Sequence, residues 1–227
     1  MNKNIAFIIP VFNEGEVIVG VIENILTKYQ NVICVNDGSS DNTEEQIKTT
    51  DAFLVNHTIN LGQGASLQTG IDFALTLEHI EYFVTFDADG QHQLKDVDVM
   101  VSFLANNKDI DIVLGSRFLG KTKNMTKAKK VILKLAIYFS NKTSGLKLTD
   151  AHNGLRVFNR KVAQGLKITM NDMAHASEIV DRIRQNGYKY KEIPCTIVYT
   201  DYSKAKGQSL MNAINISFDL LLKRLTK

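Results

Sequence analysis

The chain is predicted to be an α/β protein of the doubly wound type: a mostly parallel sheet flanked by helices, closed by a C-terminal amphipathic helix. Three observations carry this. Short apolar runs alternate with amphipathic segments through the first half of the chain, the rhythm of strand–helix units in a parallel sheet. Polar residues collect after each apolar run, at the carboxyl ends of strands, where open α/β sheets bind ligands. With 227 residues and 44% hydrophobic content, the chain can bury one full core as a single domain.

The elements follow in order. The run "NIAFIIP" reads as a buried strand and "GEVIVGVIENILTKY" as a helix with Val17, Val21, Ile25 and Leu26 on one side. "NVICVND" is a second strand. In "DGSSDNTEEQIK", Ser40 or Asp41 caps a helix whose first turn is acidic. "DAFLVNH" is a third strand, and "GASLQTGIDFALTL" a helix with Leu67, Ile71, Ala74 and Leu75 inward. "EYFVTFD", "LKDVDVMVSFLANN" and "DIDIVLGSR" continue as strand, helix and strand. Beyond residue 120 the rhythm changes to a basic amphipathic helix over 125–141 and a polar turn, "TDAHNGLRVFNR". A helix near 174–186, strands near 189–200 and a helix from about Ser209 follow.

Composition excludes some classes. A net charge of +3 is too small for a nucleic-acid partner, but its distribution is uneven: Lys121 to Thr149 holds eight lysines and no acid. Such a segment suits phosphates or an anionic membrane surface, or is simply a solvated helix face. Cys34 and Cys195 lie in apolar runs without metal-ligand spacing and read as buried thiols of a reducing compartment. No stretch approaches the roughly 20 apolar residues of a membrane span, so a cytoplasmic location is expected.

The motifs narrow the chemistry. After the first strand "PVFNEGE" replaces Gly-x-Gly-x-x-Gly, and no Gly-Lys-Ser/Thr occurs, so neither a dinucleotide nor a P-loop site is expected. Glu14 is placed to accept from two ribose hydroxyls, and Asp37 from a base N–H. Gly62 and Gly64 in "NLGQGASLQTG" suit either a close ligand or a plain strand-to-helix turn. In "VTFDADGQH", Asp87 and Asp89 lie two apart and so project to one side of an extended chain. They supply hard oxygens for Mg²⁺ or Mn²⁺ bridging a diphosphate; a helix cap plus a surface acid is the competing reading.

"IIPVFNEGE", "VNDGSSDNT", "NLGQGASLQTG", "FDADGQH" and "GSRF", in this order, resemble the family 2 inverting glycosyltransferases of GT-A fold, above all the dolichol- or polyprenyl-phosphate sugar synthases. "DAHNGLRVF" and "ASEIVDRIRQNGYKYKEIPCTIVY" extend the likeness over nearly the whole chain. The resemblance implies a nucleotide-sugar half over 1–117 and an acceptor half over 118–227. It implies that Pro10, Phe12, Glu14, Asp37 and Ala88 line the nucleotide-sugar pocket. Asp87 and Asp89 with Gln91 would hold the metal, and Arg117, Asn153 and Arg156 would face the acceptor. Asn36 stands where the family often has an acid, Asn153 replaces a Ser, and Leu155 replaces a Phe. Lys204 and Lys206 stand near an expected Arg, able to clamp a diphosphate only as point charges.

A hydroxyl acceptor needs a general base, for which Asp150 and Glu178 are the candidates. A polyprenyl phosphate is already anionic and needs cations instead, so it is the preferred acceptor. The alternatives are a saccharide hydroxyl in cell-wall or capsule synthesis, and a catalytically silent nucleotide-sugar-binding scaffold. His152 and His175 read as surface or hydrogen-bonded core histidines. Two apolar stripes, Val131, Ile132, Leu135 and Ile137, then Leu210, Ile214, Phe218, Leu221 and Leu225, are expected to touch the inner membrane face or a small membrane protein. Core packing or a homodimer face would use the same stripes.

Overall fold

The structure, a computed structural model, describes residues 2–171, 174–200 and Tyr202. Fourteen elements run in the order β1 (Asn2–Val11), α1 (Ile18–Leu26), β2 (Tyr29–Asp37), α2 (Thr43–Lys48), β3 (Phe53–His57), α3 (Gln63–Thr76), β4 (Tyr82–Thr85) and α4 (Leu94–Asn106). They continue as β5 (Ile112–Lys123), α5 (Lys127–Ser144), β6 (Arg156–Asn159), α6 (Arg160–Gly165), α7 (His175–Gln185) and β7 (Tyr190–Val198). The seven strands form one sheet, ordered β3-β2-β1-β4-β6-β5-β7. Every pairing is parallel except those of β6, which runs antiparallel to both β4 and β5. The expected α/β architecture is present.

Both faces of the sheet are covered, which explains why the central strands read as continuous apolar runs. Along β1, Ile5, Phe7, Ile9 and Val11 point into one core with Ile18, Ile22 and Ile25 of α1 and Val97, Met100 and Leu104 of α4. Ala6 and Ile8 point into the other, with Leu67, Ile71 and Ala74 of α3 and Ile179, Val180 and Ile183 of α7. Each such aliphatic side chain contributes roughly 1.5–3 kcal/mol on burial. These contacts hold rigid the strand ends that carry the polar residues.

Several local readings need correction. Residues 149–160 are not only a turn: they hold β6, an interior strand of the sheet between β4 and β5, and lead into α6. The strand that fills this slot, "RVFN", is four residues long with only Val157 and Phe158 apolar, too short for its periodicity to be read. α1 starts at Ile18, and its buried side is Ile18, Val21, Ile22 and Ile25, not Val17. Asn42 takes the N-cap position of α2. Asp41 still accepts from the Thr43 amide at 3.0 Å, satisfying a first-turn donor from one residue further out. The segment near 189–200 is the single strand β7. Cys34 and Cys195 are buried free thiols, as expected. Lys204, Lys206 and the helix expected from Ser209 lie outside the described residues.

Candidate active site

Parallel pairing brings the carboxyl ends of β1, β2 and β4 to one edge, and three motifs arrive there together. After β1, Phe12 is exposed and Asn13 takes a left-handed backbone, φ 54°. Asn13 Oδ1 accepts from the Ser40 amide at 2.8 Å, and the Glu14 amide donates to Thr43 Oγ1 at 2.8 Å. The β1 and β2 loops are thus tied to each other. Pro10 and Ala88 are buried beneath the site. The Tyr202 hydroxyl donates to Glu14 Oε2 at 2.6 Å, which sets that side chain against the first loop. Burial and the Glu14 carboxylate together push the Tyr202 phenol upward.

Asp37 is buried and engaged. It accepts from the Leu61 amide at 2.9 Å and the Gly62 amide at 2.8 Å, and meets His57 Nδ1 at 2.7 Å. Its oxygens therefore shape the loop entering α3, where Gly62 has φ 95°, a conformation that favours glycine. Gly64 is required by protein, not by open space: a Cβ there would collide with the backbone at Met170 and Asn171 and with His175. Asn36 bonds to Asn56 Oδ1 at 2.9 Å and accepts from the Ser39 amide, an orienting role.

The two carboxylates after β4 have different surroundings. Asp87 Oδ2 meets His92 Nε2 at 2.8 Å. Burial alone would raise the Asp87 carboxyl; the His92 ring, then Arg156 and His175, reverse that and hold it below its ordinary range. Asp89 is pushed the other way, by burial and then by the Asp87 charge, against the Gln91 amide that donates to it at 3.1 Å. The Gln91 side chain also bonds to Asp89. A carboxylate whose charged form is disfavoured by an adjacent carboxylate is the electrostatic setting that a divalent cation relieves. Among the described residues, no group of three or more His, Cys, Asp or Glu converges as a metal cage. Asp87 and Asp89 offer hard oxygens that suit Mg²⁺ or Mn²⁺ taking its other ligands from diphosphate and water.

Antiparallel β6 delivers the residues expected to face the acceptor. Its first residue, Arg156, pairs with Thr85 of β4 and Leu114 of β5, near enough to Asp87 for the two charges to act on each other. Arg156 is buried, and its Nη1 has no hydrogen-bond partner. Burial pushes its pKa down to about 10 against the pull of Asp87 and Asp150. Just before it, a Cβ on Gly154 would fall on the Asp87 carboxylate. Glycine here lets the turn and the carboxylate meet.

The remaining predicted residues are engaged with protein. Arg117 donates through Nε to Asp150 Oδ2 at 2.6 Å, through Nη1 to the Tyr199 hydroxyl at 3.2 Å and through Nη2 to the His152 carbonyl at 3.0 Å. Asp150 also accepts from the Arg117 amide at 3.0 Å. Glu178 accepts from the Thr169 and Met170 amides, the Thr169 hydroxyl and Arg182. Burial would raise its carboxyl, but these donors hold it lower than usual. Asn153 is buried, bonding to Cys195 Sγ at 3.1 Å and to the Leu155 amide. His152 is pushed down to about 4 by burial.

Sequence reasoning passed over His57 and His92, both hydrogen-bonded to predicted carboxylates. His57 ends β3, so the carboxyl-end rule itself could have singled it out; His92 lies five residues past Asp87 on the same loop.

Comparison with known proteins bears on family and fold. Residues 6–166 match the profile described as glycosyl transferase family 2. An uncharacterised protein of Methanocaldococcus jannaschii is 33% identical over 99% of this chain and 94% of its own length. The UDP-N-acetylglucosamine–dolichyl-phosphate N-acetylglucosaminyltransferase of Methanococcus voltae is 31% identical, over 100% of this chain and 98% of its own. The crystal structure of glucosyl-3-phosphoglycerate synthase from Mycobacterium tuberculosis with Mn²⁺ and UDP-glucose superposes with a TM-score of 0.73 at 17% identity, covering 99% of this chain and 79% of that one.

Proposed function

The chain belongs to glycosyl transferase family 2 and is a nucleotide-sugar-using enzyme of GT-A fold, and we propose that its acceptor is a polyprenyl phosphate. The observation that carries this reading is the state of the two candidate bases. Asp150 is paired with Arg117 through Oδ2, its Oδ1 buried without a hydrogen-bond partner, and Glu178 holds four donors. His152, at about 4, is a weak base at neutral pH. A hydroxyl acceptor would find only a carboxylate neutralised by Arg117 or one already holding four donors, whereas an anionic phosphate needs only cations. Arg156, with its unpartnered buried Nη1, provides one near Asp87. The Methanococcus voltae relative, whose name gives dolichyl phosphate as acceptor, supports the same choice.

In this reading residues 1–117 hold the donor and 118–227 the acceptor. Phe12, Glu14 and the loop shaped by Asp37 take the nucleoside. Asp89, steadied by Gln91, and Asp87 would hold Mg²⁺ or Mn²⁺, which would neutralise charge building on the departing diphosphate. A phosphate oxygen bonds to the anomeric carbon as the carbon–oxygen bond to the diphosphate breaks, inverting that carbon. His92 and Gly154 keep the Asp87 carboxylate at its place in the site. Lys204 and Lys206 are proposed to meet the diphosphate. The enzyme would meet its acceptor at the cytoplasmic face of the membrane, as a peripheral protein.

The test is to offer radiolabelled UDP-, GDP- or dTDP-sugars with Mn²⁺ to polyprenyl phosphate or to a glycan. Label in the lipid supports the reading; label only in the glycan overturns it.

A further inference from the structure

The outer face of α5 belongs to neither core. Val131, Leu135 and Tyr138 are 59%, 63% and 67% exposed and stand at i, i+4 and i+7, one stripe along the helix. Only Ile137, Ser140 and Ser144 of α5 are buried. Exposed Lys127, Lys130, Lys134 and Lys142 flank the stripe, and no acid occurs from residue 121 to 149. Leu119, also exposed, lies on β5 upstream of the helix. Apolar side chains rimmed by lysine, on a helix with no counter-charge, complement an anionic bilayer surface. At 18 residues the helix is about 27 Å long. No helix of the described residues is long and apolar enough to cross a membrane, so the geometry is that of a helix lying in the interface.

The other side of the same helix reaches the site. Thr126 accepts from the Lys129 amide at 3.2 Å and starts the helix. The Lys129 ammonium then lies 4.4 Å from the centroid of the Tyr199 ring, whose hydroxyl accepts from Arg117. Lys129 makes no ion pair among the described residues, and burial, then the nearby Arg117, lower its pKa. The apolar stripe and the acceptor-side cations are thus separated by about one helix diameter, ~10 Å.

We propose that the outer face of α5, through Val131, Leu135, Tyr138 and the flanking lysines, docks the enzyme on an anionic lipid surface and presents the acceptor side of its site to that surface. This rests on the polyprenyl-phosphate reading above and names the surface through which such an acceptor is reached. The stripe anchors in the headgroup boundary, the lysines set the orientation, and Lys129 stands where an anionic headgroup would enter.

The test is co-sedimentation of the full chain with phosphatidylcholine vesicles with and without phosphatidylglycerol, at low and high salt. The wild type is expected to bind only the anionic vesicles, and less at high salt. A surface lysine contributes about fivefold to such partitioning, so Lys130→Gln with Lys134→Gln should lose roughly 25-fold. Leu135→Ser should lose roughly tenfold or more. Both variants alter exposed positions and should transfer sugar to a short, water-soluble prenyl phosphate at the wild-type rate. Vesicle binding equal to the wild type in both variants, or none by the wild type, overturns the proposal. A change in oligomeric state caused by Leu135→Ser also overturns it, assigning the face to a second copy. Vesicle binding that follows the pattern above, with no transfer to any prenyl phosphate, would sink the acceptor reading while leaving the docking surface standing.

Discussion

Asp150→Asn separates a structural carboxylate from a catalytic one. Asp150 is fully buried, Arg117 is 9% exposed, and the two are joined at 2.6 Å through Nε and at 3.0 Å through the Arg117 amide. The substitution keeps the shape and removes the charge, leaving a guanidinium in low dielectric without its counter-ion. Breaking a buried pair from one side costs about 3–5 kcal/mol. In a chain of 150–250 residues each kcal/mol moves the melting temperature by about 2–4 °C, so a fall of roughly 6–20 °C is expected. Differential scanning fluorimetry and urea unfolding read it directly. Arg117→Met added to Asp150→Asn removes the stranded cation and should recover much of the loss, so that the double-mutant cycle shows strong coupling. If Asp150 were instead the general base, kcat would collapse while the melting temperature stayed within about 2 °C of wild type, and that outcome would refute the reasoning.

Four further results are expected. Asp89→Asn should remove the metal-dependent turnover with the fold intact by circular dichroism; retained activity would cancel the metal-ligand assignment. Tyr202→Phe removes a hydroxyl that competes for Glu14 Oε2, so nucleoside diphosphate should bind about fivefold tighter by calorimetry, the worth of one net hydrogen bond of ~1 kcal/mol. Weaker binding would instead make Tyr202 a donor contact. Gly154→Ala drives a methyl onto the Asp87 carboxylate and should cut kcat about 100-fold, as an ångström-scale misplacement does; unchanged kcat would count against Asp87 in the site. Because His152 is near 4 folded and 6.5 unfolded, below pH 6.5 the unfolded chain takes up a proton that the folded one does not. Stability should therefore fall between pH 6.5 and 4, by up to about 3 kcal/mol. His152→Gln should flatten that part of the curve, and an identical curve in the variant would contradict the assignment.

Much of this protein could be read from its sequence because the relevant signals are local. Strand–helix alternation gave the sheet, and the polar ends of "IIPVFNEGE", "VNDGSSDNT" and "VTFDADGQH" marked one edge, since parallel strands put their carboxyl ends on the same side. Charge pattern alone marked α5 as basic and amphipathic. Other features depend on partners far away in the chain. β6 is four residues long, too short to show a period, and only its pairing with β4 and β5 carries Arg156 to Asp87. Gly64 suits a close ligand or a plain turn by its sequence, and only the backbone at 170–171 packed against it decides for protein.

The sequence by itself determined which chemical groups the site contains: the carboxylates, the cations and the loops that bear them. Only the tertiary structure decided how each group is employed. Asp37, Glu178 and the Oδ2 of Asp150 are engaged by amides, His57 and Arg117, while Asp150 Oδ1 and Arg156 Nη1 keep no hydrogen-bond partner. The reason is physical: a carboxylate's role follows from which donors reach its lone pairs. Sheet order and register bring those donors from elsewhere in the chain, and residue type alone does not encode them.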